Sequence, residues 1–172
     1  MRYVKNVNYY CCIQIILIFV GKLLTKHIIV MQVKFKKLVP EAVIPTYAVE
    51  GDAGKDLTAT SRKWNDEMQC WIYGTGLAVE IPKGYVGLLF PRSSVRKYGL
   101  ILTNHVGVID SGYRGEIMLT FRPAMAGGAH VYDVGDRIGQ LMIIPYPTYE
   151  SVEAEELSDT TRGEGGHGST GK

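Results

Sequence analysis

The residues best suited to chemistry lie in five glycine-containing segments spread along the chain. The segments are AGKDL (53–57), PRSSVRKYGL (91–100), GVIDSGYRGE (107–116), GDRIGQL (135–141) and RGEGGHGSTG (162–171). Their arginines and hydroxyl side chains can donate hydrogen bonds to phosphate oxygens, and their glycines let backbone N–H groups approach an anion. This composition favours a small phosphorylated ligand.

Two nucleotide-binding patterns in the C-terminal tail are incidental. Residues 163–168 match GxGxxG, and residues 166–172 nearly match a P-loop. A dinucleotide fingerprint opens a helix inside a βαβ unit, and a P-loop also precedes a helix. Neither context is present in this sequence. The glycines instead indicate a flexible arm that closes over phosphate, with hydroxyl donors from Ser169 and Thr170.

Asp110 is the strongest candidate for a catalytic group. It follows the apolar run VGVI and precedes the turn residues Ser111 and Gly112. A carboxylate held there beside a bound ligand can accept a proton from water. Taken by itself, an aspartate at a turn can equally well bond its own backbone.

The order and content of the five segments resemble the five motifs of the trimeric dUTPase family, over nearly the whole sequence from Met31 onward. The resemblance implies that Asp110 activates the water that attacks the α-phosphorus and also bonds the sugar 3′-hydroxyl. Tyr113 would pack against deoxyribose and exclude a ribose 2′-hydroxyl. Asn104 would bond uracil from a hairpin, with Val108 also among the substrate contacts. Many relatives carry a second Asp where this chain has Gly112.

The same resemblance assigns the phosphate contacts to the second and fourth segments. Arg92 and Ser93, assisted by Ser94, would bind near the α–β bridge, although either serine could simply cap a helix. Gln140 would also contact the phosphate region, although it could lie on a solvated strand face. Asp56 would lie near the water shell of a metal or support the second segment, although it could be a structural turn residue.

The tail completes the implied site. Arg162 resembles the γ-phosphate arginine, and Gly168, Ser169 and Thr170 would close over the same phosphate. His167 stands where the commonest pattern has a phenylalanine stacked on uracil; an imidazole is also flat and gains charge at low pH. The implied cofactor is Mg²⁺, chelated by the triphosphate and reaching the protein mainly through water, so no direct protein ligand is expected.

Short strands must position these residues. Six β-rich runs are separated by Gly, Pro, Asn and Asp, and no segment keeps the periodicity of a long helix. The runs are VKFKKLV, LAVEI, YVGLLF, VGVI, GEIMLTF and RIGQLMII. The pattern predicts an all-β sandwich or barrel, with SSVRKYG as a short helix. The resemblance specifies a distorted jelly-roll-like β-barrel over residues 31–157, a homotrimer, and a mobile glycine-rich arm over residues 158–172.

Residues 1–30 differ in composition from the rest of the chain. Their apolar stretch, residues 11–24, is interrupted by Gln14 and Lys22 and is shorter than the roughly 18–20 residues of a spanning helix. A basic start resembles a signal peptide, but no small-x-small cleavage site follows. We expect a non-domain extension; a membrane anchor or a cleaved signal would also fit this composition.

Charge and ligand counts exclude several classes of protein. Residues 1–30 hold four of the 19 Lys and Arg residues and none of the 17 Asp and Glu residues, which leaves 15 basic and 17 acidic residues from Met31 onward. Such a balance argues against a nucleic-acid-binding surface. The three cysteines and four histidines lack the spacing of a zinc site. We expect a cytoplasmic protein with no stable membrane association.

The resemblance implies hydrolysis of dUTP to dUMP and pyrophosphate, which limits uracil incorporation into DNA and supplies dUMP for dTMP synthesis. Three chains would build each site, contributing the base pocket, the PRSS contacts and the arm. A dCTP deaminase would share the fold, but its catalytic glutamate, ten residues after the motif-three aspartate, is Thr120 here. A nucleotide-gated interaction protein or a structural trimeric β-protein would also be compatible with such a chain.

Overall fold

The computed structural model describes residues 31–124 and 130–166, which form nine strands and one short helix. The elements in chain order are β1 (Lys34–Lys37), β2 (Lys55–Thr58), β3 (Ser61–Asn65), β4 (Cys70–Glu80), β5 (Tyr85–Pro91), α1 (Val95–Tyr98), β6 (Leu100–Leu102), β7 (Gly107–Ile109), β8 (Glu116–Pro123) and β9 (Arg137–Pro145). The all-β prediction is confirmed. The expected N-terminal extension, residues 1–30, lies outside the described residues.

The strands form two antiparallel sheets. The first sheet has the order β1-β4-β8-β6, and β3 shares the outer edge of β4 with β1: β3 pairs with Cys70–Gly74 and β1 with Leu77–Glu80. The second sheet has the order β2-β9-β5-β7. This second sheet carries four of the five chemistry-bearing segments, because β2, β5, β7 and β9 each contain or border one of them.

The core lies on the inner faces of the sheets. Along β8, Ile117, Leu119 and Phe121 are buried, whereas Met118 is half exposed. This alternation is typical of a strand with one face in the core. In the second sheet Leu57, Leu89, Ile138 and Leu141 are also buried. This alternation therefore places one face of β8, which covers most of the predicted run GEIMLTF, in the core.

β4 contains an irregularity that matters for the site. Its register with β8 shifts between Gly74 and Ala78, and Gly76 has a left-handed φ of +64°. The fully buried Thr75 donates its hydroxyl to the carbonyl of Ile117 at 2.8 Å. A bulge of this kind bends the strand and leaves backbone groups that need other partners.

Several strands lie outside the runs predicted from the sequence. The run LAVEI is only the end of β4, which begins at Cys70, and the predicted runs did not include β2, β3 or β6. The predicted helix SSVRKYG is confirmed in its centre, where α1 spans four residues and ends at Gly99, whose φ is +63°. Within the described ranges, no helix is both long and apolar enough to cross a membrane.

Candidate active site

A cavity of about 200 Å³ lies beside the third segment. Four of the predicted substrate residues line it: Asn104, Val108, Asp110 and Tyr113. Ligand pockets usually enclose about 300–1,000 Å³, so this cavity is small for a whole nucleotide. These four residues therefore meet at one cavity that is smaller than a typical ligand pocket.

Asn104 lies where the chain crosses from one sheet to the other. β6 pairs with β8 and β7 pairs with β5, so the turn between β6 and β7 does not join two paired strands. The turn therefore connects the two sheets, and the expected contact of Asn104 with uracil stays a prediction. His105 adopts a left-handed φ of +60°, and the Asn104 carbonyl accepts the N–H of Val106 at 2.6 Å. This tight turn exposes the Asn104 side chain at the cavity.

Asp110 follows β7 directly and is exposed at the cavity. Its backbone carbonyl accepts the N–H of Tyr113 at 3.0 Å, which closes a turn. Among the described residues, no side-chain or backbone donor bonds the Asp110 carboxylate. Within the described residues the Asp110 carboxylate is thus not bonded to its own backbone, and Asp110 lines the cavity.

Tyr113 lines the same cavity, and the residue is 43% exposed. Its hydroxyl donates to the Glu116 carbonyl at 3.0 Å. Gly115 makes this conformation possible, because a Cβ at that position would collide with the Tyr113 ring and hydroxyl. The hydroxyl end of the ring is therefore held by a hydrogen bond, while the residue remains partly exposed at the cavity.

A second cluster gathers the predicted phosphate residues of the first, second and fourth segments. Asp56 accepts Arg92 Nε at 2.9 Å and Arg137 Nη1 at 3.0 Å, and Gln140 Nε2 lies 3.4 Å from the same carboxylate. Strand pairing explains this meeting, since Asp56 on β2 is opposite Gln140 on β9, and Gln140 is opposite Phe90 on β5. Of the roles considered for Asp56, this contact matches support of the second segment.

The cluster carries excess positive charge. Two guanidinium groups share one carboxylate, whose side chain is only 11% exposed, while Arg137 is 53% exposed. Arg92 uses only its Nε in this contact, so its terminal amino groups remain available as donors. Gly54 belongs to the same packing, because a Cβ there would lie 3.1 Å from Gln140 Cβ. The arrangement suits an incoming polyanion.

The serines of the second segment lie at the start of α1. Ser94 occupies the N-cap position but makes no side-chain capping bond. Ser93 is exposed. Neither side chain therefore fulfils the purely structural capping role that the sequence allowed, and both residues directly follow Arg92 of the phosphate cluster.

The segment after β9 leads into the predicted arm, residues 158–172. No helix or strand is assigned to residues 146–166, and Tyr149, Val152 and Leu157 are 86%, 77% and 88% exposed. Arg162 Nε donates to the Gly165 carbonyl at 2.8 Å within a turn. The predicted contacts of His167, Gly168, Ser169 and Thr170 lie outside the described residues.

The two clusters are far apart within one chain. β7 pairs with β5 so that Ile109 is opposite Gly87, and Asp110 continues away from Arg92. Gly87 and Arg92 are five residues apart, which corresponds to about 17 Å along a strand. Arg92 also turns toward Asp56 on β2, on the side of β5 opposite β7. Asp110 and Arg92 of one chain therefore cannot contact neighbouring phosphates.

Several contributors to these clusters were not assigned from the sequence. Arg137 lies in the fourth segment, GDRIGQL, three residues before Gln140. A positively charged side chain so close to the predicted phosphate-binding glutamine could have identified it. Glu116 and Met118 line the cavity, but their positions on β8 resemble those of ordinary strand residues. Within residues 31–124 and 130–166, no group of three His, Cys, Asp or Glu side chains is placed to hold a metal ion.

Comparison with known proteins identifies one family. The dUTPase profile matches residues 40–171. The chain is 41% identical over 149 residues to the deoxyuridine 5′-triphosphate nucleotidohydrolase of Rhodococcus erythropolis, covering 82% of this chain and 87% of that protein. It is 43% identical over 143 residues to the protein of the same name from Nautilia profundicola, covering 83% and 100%.

Solved structures that resemble this chain are also dUTPases. The dUTPase of Staphylococcus bacteriophage 80alpha with dUPNHPP has a TM-score of 0.67 and 29% identity, covering 82% of this chain and 99% of that chain. A mutant dUTPase of phage phi11 of S. aureus, described with a structural Mg(II) ion, has a TM-score of 0.62 and 26% identity, covering 74% and 99%. Because the profile and the curated relatives both match most of its length, this chain belongs to the dUTPase family.

Proposed function

We propose that the protein hydrolyses dUTP to dUMP and pyrophosphate in sites shared between identical chains. The observation that carries the proposal is the cavity lined by Asn104, Asp110 and Tyr113, beside which the exposed carboxylate of Asp110 has no competing partner among the described residues. A base, a sugar and an attacking water fit the chemistry of these three side chains. The names of the curated relatives support dUTP as the substrate.

Sharing follows from the separation of the clusters. The reacting α-phosphate must lie beside Asp110, and its neighbouring phosphates must meet the Arg92 cluster. Because these lie about 17 Å or more apart along one chain, we assign them to two different protomers. A closed ring of three chains supplies every protomer with both neighbours, and its symmetry repeats the site three times. The exposed segment from Pro147 to Arg162, which leads into the arm of residues 158–172, is long enough to reach a third chain.

In this mechanism Tyr113 and Asn104 hold the sugar and the base, while Arg92 and Ser93 of a second chain fix the phosphates. Gln140 and Ser94 complete that phosphate surface. Asp110 then accepts a proton from water as the water attacks the α-phosphorus, and pyrophosphate leaves. Positioned guanidinium donors stabilise the charge that develops on the leaving group. Arg162, and His167, Gly168, Ser169 and Thr170 beyond it, would close the site.

Mg²⁺ would be held by phosphate oxygens of the substrate, with water between the ion and Asp110 or Asp56. The donor set supports this arrangement, because both oxygens of Asp56 already accept hydrogen bonds from Arg92 and Arg137. When bound, Mg²⁺ orients the triphosphate and offsets its negative charge. The expected cytoplasmic location stays a prediction.

The direct test is incubation of the purified protein with dUTP, UTP and the four standard deoxynucleoside triphosphates, with and without Mg²⁺. We expect pyrophosphate release from dUTP alone. Asp110→Asn should bind dUTP normally and lose about 10²–10⁴-fold in kcat, because it removes the general base. Wild-type turnover in this variant would refute the role of Asp110, and ammonia release from dCTP would support a deaminase instead.

A further inference from the structure

The Tyr113 ring is held by a loop that closes on itself. Its N–H bonds the Asp110 carbonyl and its hydroxyl bonds the Glu116 carbonyl, both at 3.0 Å. The bond to Glu116 is the only one that fixes the end of the ring among the described residues. The position of the ring therefore depends on where the Glu116 backbone lies.

Glu116 is in turn attached to the core strand β4 through its side chain. Its Oε1 accepts the N–H of Gly76 at 2.7 Å. Gly76 belongs to the bulge where the β4–β8 register shifts, so its N–H needs a partner outside the regular ladder. The position of the Glu116 carboxylate also requires a glycine at residue 74, because a Cβ on Gly74 would lie 2.6 Å from the same Oε1.

The carboxylate of Glu116 has no lysine or arginine within ion-pair distance in the part of the chain that the structure describes. Its described contact is therefore a charge-assisted bond to one backbone N–H, a strong type of hydrogen bond. This links the third segment to the bulge through a chain of three residues: Gly76, Glu116 and Tyr113. The link ends at the wall of the cavity.

We propose that Glu116 is a positioning residue for sugar selection: its carboxylate, bonded to the Gly76 N–H, fixes the backbone that holds the Tyr113 hydroxyl. The inference rests on the proposed function and on the expectation that Tyr113, packed against deoxyribose, excludes a ribose 2′-hydroxyl. Rejection of one added hydroxyl by crowding requires a rigid side chain, and Tyr113 is a 43% exposed residue whose side chain is held by the bond to Glu116. Displacements of about 1 Å can change rates by about 10²-fold.

The test compares kcat/KM for dUTP with kcat/KM for UTP in the full-length protein. Glu116→Leu keeps a similar volume but removes the acceptor, and we expect it to lower the dUTP/UTP ratio by about tenfold. Glu116→Gln retains an amide oxygen that can accept the Gly76 N–H, so it should restore most of the ratio. A purely structural role would lower the unfolding midpoint of Glu116→Leu and leave the ratio unchanged, which would overturn the inference.

Coupling to Tyr113 provides the second readout. Tyr113→Phe keeps the ring but removes the hydroxyl, so it should lower the ratio by a similar factor. If Glu116 acts through that hydroxyl, the double variant should be no worse than either single variant. Full additivity would contradict the inference.

Failure of the proposed function is distinguishable from failure of this inference. A wild-type protein that does not hydrolyse dUTP refutes the function, and the sugar preference is then read from dUMP and UMP binding by calorimetry. A wild-type preference for dUMP that Glu116→Leu reduces would support the inference in that case as well. An unchanged preference in Glu116→Leu would refute it.

Discussion

Arg92 donates its Nε–H to the Asp56 carboxylate at 2.9 Å, although 36 residues separate the two in the chain. The pairing of β2 with β9 and of β9 with β5 brings them together. Asp56 therefore fixes a cation of the phosphate cluster from two strands away. This contact explains why the AGKDL segment belongs with the PRSS segment.

Removing this carboxylate should affect both stability and substrate binding. Asp56→Asn leaves Arg92 and Arg137 without a charged partner in a partly buried place, so we expect a loss of about 2 kcal/mol in the free energy of unfolding. KM for dUTP should rise because Arg92 loses its orientation. Urea unfolding at fixed protein concentration and steady-state kinetics would measure the two effects.

Asp133→Asn is the matched control for that variant. Asp133 pairs with Arg62 at 2.9 Å, but its side chain is 81% exposed. Solvent screening should keep the cost within about 0.5 kcal/mol, with no change in KM. If the two variants changed the free energy of unfolding and KM equally, the burial of Asp56 would not strengthen its ion pairs.

The sequence predicted the second sheet better than the first. β5 and β9 are runs of apolar residues bounded by turn residues, so their pattern is clear. β2 has only Leu57 buried, and its neighbours Lys55 and Asp56 suggest a polar loop; pairing with β9 makes it a strand. The first half of β4 was missed because Gly74 and Gly76 interrupt it, and these glycines mark a bulge rather than a turn.

The sequence likewise predicted some contacts of the candidate site and missed others. Asp110, Tyr113 and Asn104 are close in sequence, so motif resemblance alone placed them at one cavity. The Asp56–Arg137 pair and the Glu116–Gly76 bond join residues 81 and 40 positions apart. Such contacts depend on strand register, which a one-residue shift would destroy. These long-range contacts could not be predicted from the local sequence pattern.

Mixed assemblies would test whether sites are shared between chains. Asp110→Asn and Arg92→Ala each inactivate a different contribution to the site. When the two variants are unfolded together and refolded as mixed assemblies, some sites should receive an intact Asp110 from one chain and an intact Arg92 from another. Random assembly predicts that roughly a quarter of the sites recover activity. If each site lay within one chain, the mixture would stay inactive.

Ending the chain before Arg162 should reduce activity without unfolding the body. Of the described residues that this truncation removes, Arg162, Gly163 and Glu164 are exposed and Gly165 and Gly166 are partly exposed, so none of them belongs to the buried core. The truncated protein should keep its unfolding midpoint and its oligomeric mass while kcat/KM for dUTP falls strongly. Thermal unfolding, light scattering and pyrophosphate release would measure these properties. A large drop in the unfolding midpoint would show that the arm stabilises the body.

Gly107→Ala should destabilise the protein at the packing of β7 on β5, beside the cavity lined by Asp110. A Cβ at this buried position would lie 2.9 Å from Leu89 Cβ on the paired strand β5. Overpacking of this type costs about 1–3 kcal/mol. Gly112→Ala is the control, because a Cβ at Gly112 meets nothing within 4 Å. Urea unfolding should separate the two variants, and equal stability would contradict the close packing of β5 on β7.

Stability should fall at high pH because of Tyr73. Burial raises the pKa of Tyr73 to about 12, whereas the unfolded chain ionises this group near pH 10. Above pH 10 the unfolded state therefore loses the proton first and is favoured, so stability decreases as pH rises from 10 to 12. The shift corresponds to roughly 2–3 kcal/mol.

Tyr73→Phe separates this effect from the ionisation of other groups. The variant loses the hydrogen bond from the Tyr73 hydroxyl to the Tyr132 carbonyl, at 3.2 Å, and should be about 1 kcal/mol less stable at pH 8. Its stability should fall less steeply than that of the wild type between pH 10 and 12. Burial also raises the pKa of Tyr132, so part of the pH dependence should persist. Parallel stability curves for the two proteins would show that Tyr73 does not cause the loss.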